Sequence, residues 1–395
     1  MIIAQKNTER VLGLDILRAY AIVSVLYGHA FELIKQHLSA TLQMAYWGPV
    51  WDGVTLFFVL SGFLVGRIMI SVCATNKPGF IDLVEFWVLR WLRTIPLYFV
   101  VLTTIVFIYW LLGKPNQGDW WKYYLFLQNL NWPHPDIFAE AWSLSVEEWF
   151  YFLAPVGFWL VYIYAKSTKT AALKLILFVI GACIVYHVTI YITHPITNFD
   201  EWNNYLRNVV LSRLSSIMFG VLAAYICIYK NEFWMRARNI SLGFGIVILI
   251  FDKIVVFSTF NNEVGVFYLG VINLTISPLG FSLLLPYFAG VENKSTNRWW
   301  LLAGVVAYIS KISYSLYLVN HTLVRELLFG FMITWLNISL ASGRDAIVVY
   351  FLYYLLSILM AAILWRSIES PIMKYRRQLK ESFFGNRKSD AGLVG

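Results

Sequence analysis

Charge is scarce in this 395-residue sequence. Asp, Glu, Lys and Arg make up 13% of it, about half the share of an ordinary soluble domain. Hydrophobic residues make up 59%, and the mean hydropathy is +0.65. That balance excludes a soluble globular enzyme and a disordered chain. Cysteine is also rare: Cys73, Cys183 and Cys227 lie far apart, with neither the framework of a disulfide scaffold nor a metal-ligand spacing, so no metal is expected. Internal repeats and low-complexity tracts are absent. A convincing cleavable signal peptide is missing too, because the first apolar stretch carries Asp15 and Arg18 and no small-residue cleavage site follows. That stretch is expected to stay as the first membrane span.

What the sequence has in abundance is long apolar runs. A helix needs about 20 mostly apolar residues to cross the hydrocarbon core. Ten segments meet that need, at about 12–31, 50–71, 94–112, 145–165, 171–193, 208–229, 240–258, 265–288, 310–335 and 345–367. Two aromatic stretches, 120–130 and 299–308, are too short to span and suit the interface or a re-entrant position, where Trp and Tyr are at home. The expectation is an all-α polytopic membrane protein of about ten transmembrane helices, with one or two short interfacial or re-entrant helices. It would form one transmembrane domain over 1–372, followed by a frayed basic tail, 373–395, attracted to anionic lipid.

The formal charge of +9 would fit nucleic acid only if Lys and Arg gathered on one polar face. Here they sit in short loops between apolar runs, so no nucleic-acid partner is expected. They report topology instead. Of the 31 Lys and Arg, 22 fall on one side of the map and five on the other, namely Lys35, Lys114, Lys122, Arg207 and Arg344. Four more, Arg18, Arg213, Lys253 and Arg325, fall within spans. The asymmetry predicts an even number of spans with both termini cytoplasmic.

Ionisable residues inside spans cost roughly 2.5–3.5 kcal/mol each on insertion scales and are functional candidates by default. The first span holds Asp15, Arg18 and His29. Arg18 and His29 are 11 residues apart, which at 100° and 1.5 Å per residue puts them on nearly one face, about 16 Å apart along the axis. A simple Asp15–Arg18 pair with His29 bonded to a neighbouring helix is the plain alternative. In the second span, Ser61, Gly62 and Gly66 among Phe57, Phe58 and Phe63 suit close helix packing. Arg90 and Arg93, at i and i+3, place two guanidinium groups on one face at the cytoplasmic mouth of the third span, able to grip a polyphosphate or to serve as a topological anchor. Glu147 and Glu148 are read at the outer start of the fourth span, on the face His29 points towards, with Ser143 or Ser145 as the helix cap. Tyr314, Tyr317, Asn320 and His321, followed by Arg325, carry polar groups into the ninth span. Glu369, in Ser367-Ile-Glu-Ser-Pro371, closes the last one.

Together these segments resemble the acyltransferase 3 family of multi-pass membrane O-acyltransferases, in the stand-alone form without a fused esterase-like domain. The matching pieces are Gly13-Leu-Asp-Ile-Leu-Arg18 with His29, Phe57-Phe-Val-Leu-Ser-Gly-Phe63, Arg90-Trp-Leu-Arg93, Trp142-Ser-Leu-Ser-Val-Glu-Glu148, Tyr314-Ser-Leu-Tyr-Leu318 and Glu369-Ser-Pro371, in order over about residues 11–372. One departure stands out: the family's histidine two residues after Leu318 is Asn320 here, and the histidine comes one later, at His321.

The resemblance implies transfer of an acyl group, most often acetyl, from cytoplasmic acetyl-CoA or another acyl-CoA to a carbohydrate hydroxyl at or beyond the outer face of a cell inner membrane. Arg18, Arg90 and Arg93 would serve the CoA donor. His29 would act as general base or as a transiently acylated nucleophile. Glu147 or Glu148 would orient His29 or bind the acceptor, while Asp15, Ser61, Tyr314, Tyr317, Asn320, His321 and Glu369 would line the cavity. O-antigen, exopolysaccharide, lipid-linked oligosaccharide and peptidoglycan all remain open as acceptors. The chain would work alone or with a separate extracytoplasmic partner protein. The alternative is a multi-pass transporter of a small anionic or sugar substrate, which also uses buried Arg, His and Glu but more often shows repeated halves and broken helices.

Overall fold

The computed structural model describes residues 11–75, 79–114, 119–194, 196–259, 263–292, 300–336 and 338–384. Seven residues in the charge count (Lys6, Arg10, Lys77, Lys294, Arg298, Arg387 and Lys388) lie outside them. Within them the regular structure is entirely helical.

Ten long helical segments carry the fold: α1 Leu12–Ile34, α2 Gly53–Thr75, α3 Phe80–Leu111, α4 Ala141–Ala165, α5 Thr168–Thr193, α6 Val210–Tyr229, α7 Asn231–Thr259, α8 Gly265–Phe288, α9 Leu301–Trp335 and α10 Gly343–Leu364. All but α4 are long and apolar enough to cross a membrane, nine among the described residues. At 25 residues α4 has the length, roughly 37 Å at 1.5 Å per residue. Its composition is more polar because it carries Glu147 and Glu148, and neighbouring helices cover its first turns, from Ala141 to Val146. Short helices at Ala40–Trp47, Trp120–Tyr124 and Phe199–Trp202 lie in the connections.

Hydrogen bonds between distant residues show which loops share an end of the bundle. At one end Gly13 bonds Val291 and Thr168 meets Tyr229. This is the lysine- and arginine-rich end by the chain order of the loops. At the other, His37 bonds the Leu340 carbonyl, the Lys253 ammonium donates to the carbonyls of Trp47, Gly48 and Val50, and Val210 bonds Asn129.

The tightest seam is α2 against α6. A Cβ on Gly62 would overlap the Ile217 carbonyl oxygen, and one on Gly220 the Val59 carbonyl oxygen. Glycine here removes the side chain that would hold two backbones apart.

Three expectations change. The stretch 299–308 is no separate interfacial element: residues 300–308 run into α9 without a break, since no proline interrupts them. α3 begins at Phe80, so at 32 residues it is far longer than the span expected at 94–112. The tail does not fray at 373, because helix continues through Phe384 and Arg376 Nε donates to the Leu89 carbonyl at 2.5 Å.

Candidate active site

Helix α9 organises the polar interior. It presents Ser310, Tyr314, Ser315, Tyr317 and Asn320 to its neighbours in succession, and each makes a hydrogen bond across to another helix or cap. Three groups of residues line up along it.

Near the basic end, Ser310 donates to Asp15 at 2.6 Å, and Arg18 stands 3.4 Å from the Ser310 hydroxyl and 3.6 Å from Asp15. The Asp15–Arg18 pair thus exists and is shared with α9. Ser315 donates to Glu369 at 2.6 Å.

The middle group joins α2, α3 and α4. The Arg90 guanidinium lies 3.9 Å from the ring centre of Tyr151, donates to its hydroxyl and sits 3.9 Å from Glu147. Tyr151 also donates to Glu147 at 2.9 Å and shares a short hydrogen bond with Ser61. Thr94 donates to Glu148 at 2.7 Å, while its carbonyl accepts from Tyr314 at 2.6 Å. Arg93 behaves differently from Arg90: among the described residues it makes no hydrogen bond or ion pair, and Arg90, Glu369, Glu147 and Arg376 are the charged groups near it. The two arginines therefore differ: Arg90 is pinned by Tyr151 and Glu147, while Arg93 is left without a bonded partner among the described residues.

The third group surrounds His29. Its Nδ1 meets Asn320 Oδ1 at 2.6 Å. Asn320 Nδ2 donates to the carbonyls of Leu316 (3.1 Å) and Tyr317 (2.8 Å), and Tyr353 donates to Oδ1 at 3.1 Å. Those partners fix the amide orientation, so Oδ1 must accept from His29. His29 Nδ1 therefore carries the proton, and Nε2 holds the lone pair. The ring of His321 packs edge-on against His29 with centroids 4.6 Å apart, and Arg325 approaches the His29 carbonyl at 3.4 Å.

This corrects the expected placement of Glu147 and Glu148. They are not at the start of α4, which begins at Ala141 with Glu140 as its cap residue and neither Ser143 nor Ser145 capping. Almost two turns further in, they bond Tyr151 and Thr94 and face Arg90. His29 has an amide partner instead. A buried acid on its side of the bundle is Glu140, which none of the sequence motifs includes. It is 2% exposed and accepts from the backbone N–H of His321 and Thr322, each at 2.8 Å, and from the Thr322 hydroxyl at 2.6 Å. α9 changes its winding at Asn320, where wider turns begin, and Glu140 satisfies the N–H groups freed there. The signal available in sequence was an acid directly before Ala141-Trp142.

Also missed was the Asp52 cluster at the same end. Asp52 caps α2 through Val54 and Thr55, and the Arg207 and Arg213 guanidiniums stand 3.7 and 3.9 Å away. Arg207 lies over the Trp142 ring at 5.1 Å.

The ordered motifs, the helical bundle and this polar interior define a multi-pass membrane acyltransferase fold. The chain belongs to the acyltransferase 3 family, whose acyltransferase domain matches residues 11–366. It is 27% identical over 385 residues to the O-acetyltransferase OatA of Staphylococcus aureus strain NCTC 8325, an alignment covering 92% of this chain and 57% of that protein. It is equally similar, over 398 residues, to the putative O-acetyltransferase SACOL0978 of S. aureus strain COL, covering 93% of this chain and 58% of the relative. The chain thus spans somewhat over half the length of the curated relatives it matches. No solved structure matches.

Proposed function

We propose that the chain transfers an acyl group, acetyl in the first instance, from acyl-CoA at the basic end to a carbohydrate hydroxyl at the opposite end, across a cell inner membrane with both termini cytoplasmic. The observation that carries this reading is His29 held by Asn320 with a free Nε2, at the far end of a polar strip on α9 that begins beside Arg18. The names of the relatives, both O-acetyltransferases, support the reaction type.

Arg93 is the better placed of the two α3 arginines for the CoA phosphates, with Arg376 adding a second guanidinium and Arg18 a third. Arg90, Glu147, Glu148 and Tyr151 form the polar lining that the thioester arm passes. At the other end His29 Nε2 takes the acceptor hydroxyl's proton as general base, or first attacks the thioester and carries the acyl group. Asp52 and Arg207 offer hydroxyl-bonding groups on the acceptor side. The test is mass spectrometry of envelope glycans from cells with and without the gene. An acyl group that disappears with the gene and returns with it is the expected result, and unchanged glycans would overturn the reading.

A further inference from the structure

The two histidines in contact raise a question about the reaction's proton. His29 is only partly covered, while His321 is 13% exposed and has Glu326 Oε1 3.4 Å from its Nδ1. The Glu326 side chain is 36% exposed. His29, His321 and Glu326 thus follow one another in contact, and Glu326 is more exposed than His321. Along α9 the series runs away from Ser310 and the basic end, towards Trp335. The change of winding at Asn320 sets it up: Asn320 turns to His29 as its hydrogen-bond partner, and the next residue sets its ring edge-on against the same imidazole.

Resting on the acyl-transfer reading above, we propose that His321 and Glu326 form a proton path from His29 to the acceptor side of the membrane. In the transfer, the acceptor O–H bond and the thioester C–S bond break, and a new C–O ester bond forms. The C–S electron pair leaves with sulfur, and the CoA thiolate takes a proton from the water at its own end. The hydroxyl proton is taken by His29 Nε2. His29 Nδ1 is already committed to Asn320, so the imidazolium sheds the proton through Nε2, to His321 directly or through one water. His321 passes it to Glu326, and from there it reaches solvent. A proton thus leaves on the acceptor side for each one the thiolate takes up on the donor side. The groups facing His321 are His29 from α1, Arg325 and Glu326 from its own helix, and the Glu140 carboxylate on its backbone N–H.

The test uses the full chain in lipid nanodiscs, with acetyl-CoA as donor and, as acceptor, envelope polysaccharide isolated from a host strain lacking the gene. A parent protein that consumes no acetyl-CoA overturns the acyl-transfer reading itself, separately from the proton path. With an active parent, His321→Ala is expected to slow transfer at least about tenfold, leave acetyl-CoA affinity within about twofold, and recover much of the rate when free imidazole is added. Glu326→Gln is expected to slow transfer several-fold and to move the acid limb of the pH–rate profile. Parental rates in His321→Ala, or a loss that imidazole does not restore, would overturn the path. If His321→Ala fails to insert, Glu326→Gln decides alone: a pH–rate profile superimposable on the parent's would overturn it.

Discussion

His29 illustrates how much of a residue's chemistry is set by a partner far away in sequence. Its spacing from Arg18 was legible, because 11 helical residues return to one face, and both residues do turn to α9. Its partner was not, since Asn320 lies 291 residues away and only packing of α1 on α9 joins them. The adjacent pair Glu147–Glu148 drew attention as the orienting acid, while the single Glu140 did the nearest structural work. His29→Ala is expected to leave the protein inserted and to lower acyl transfer by about 10²–10⁴-fold, the usual worth of a general base. Asn320→Ala should cost less, up to about 100-fold, by freeing the imidazole's orientation and tautomer. An assay of transfer on purified variants checks both, and full activity in Asn320→Ala would show that the amide positions nothing. At the donor end, Arg93→Lys should preserve expression but weaken acyl-CoA binding by roughly 1–3 kcal/mol, since ammonium lacks the planar fork. Calorimetric titration with acyl-CoA reads this directly, and unchanged affinity would reduce Arg93 to a topological anchor.

At the scale of elements, the order and approximate positions of the long helices were readable because hydrophobic thickness demands long apolar runs, although α3 runs to 32 residues. α4 was read one turn short because its polar start is buried in protein rather than lipid, where apolar composition is not required. Close packing of α2 was anticipated from Ser61, Gly62 and Gly66, and the structure adds the partner, α6, and the reason: carbonyl oxygens lie where Cβ atoms on Gly62 and Gly220 would go. Gly62→Ala or Gly220→Ala should each destabilise the fold by about 1–3 kcal/mol, as overpacking does, lowering the thermal unfolding midpoint in detergent. An unchanged midpoint would mean the seam can open without cost. The connection between α3 and α4 carries its own test. His134 there is 7% exposed, and burial pushes its pKa down to about 3 from an ordinary 6.5. The native chain then binds fewer protons than the unfolded one across that window, so this group's stabilisation is complete above about 6.5 and is lost as pH falls towards about 3. His134→Gln should flatten that part of the stability–pH curve, and an identical slope would show that His134 does not control it.

For the whole molecule, charge asymmetry and structure meet in one arrangement: arginines at the basic end, a strip of hydroxyls and carboxylates through the bundle, and a histidine with a lone pair near the other end. The two ends could be told apart in sequence by counting Lys and Arg, whereas the strip could not, since its members come from α1, α2, α3, α4 and α9. Reporter fusions after residue 372 should place the C-terminus in the cytoplasm. An outside signal would reverse the donor and acceptor ends. The central claim, acyl transfer through His29, is tested most directly in a gene-deleted strain complemented with either the parent or His29→Ala, each inserted to the same level, by mass spectrometry of the envelope glycans. The account predicts that the acyl modification returns with the parent and stays absent with His29→Ala. Full acylation restored by the His29→Ala protein would contradict it.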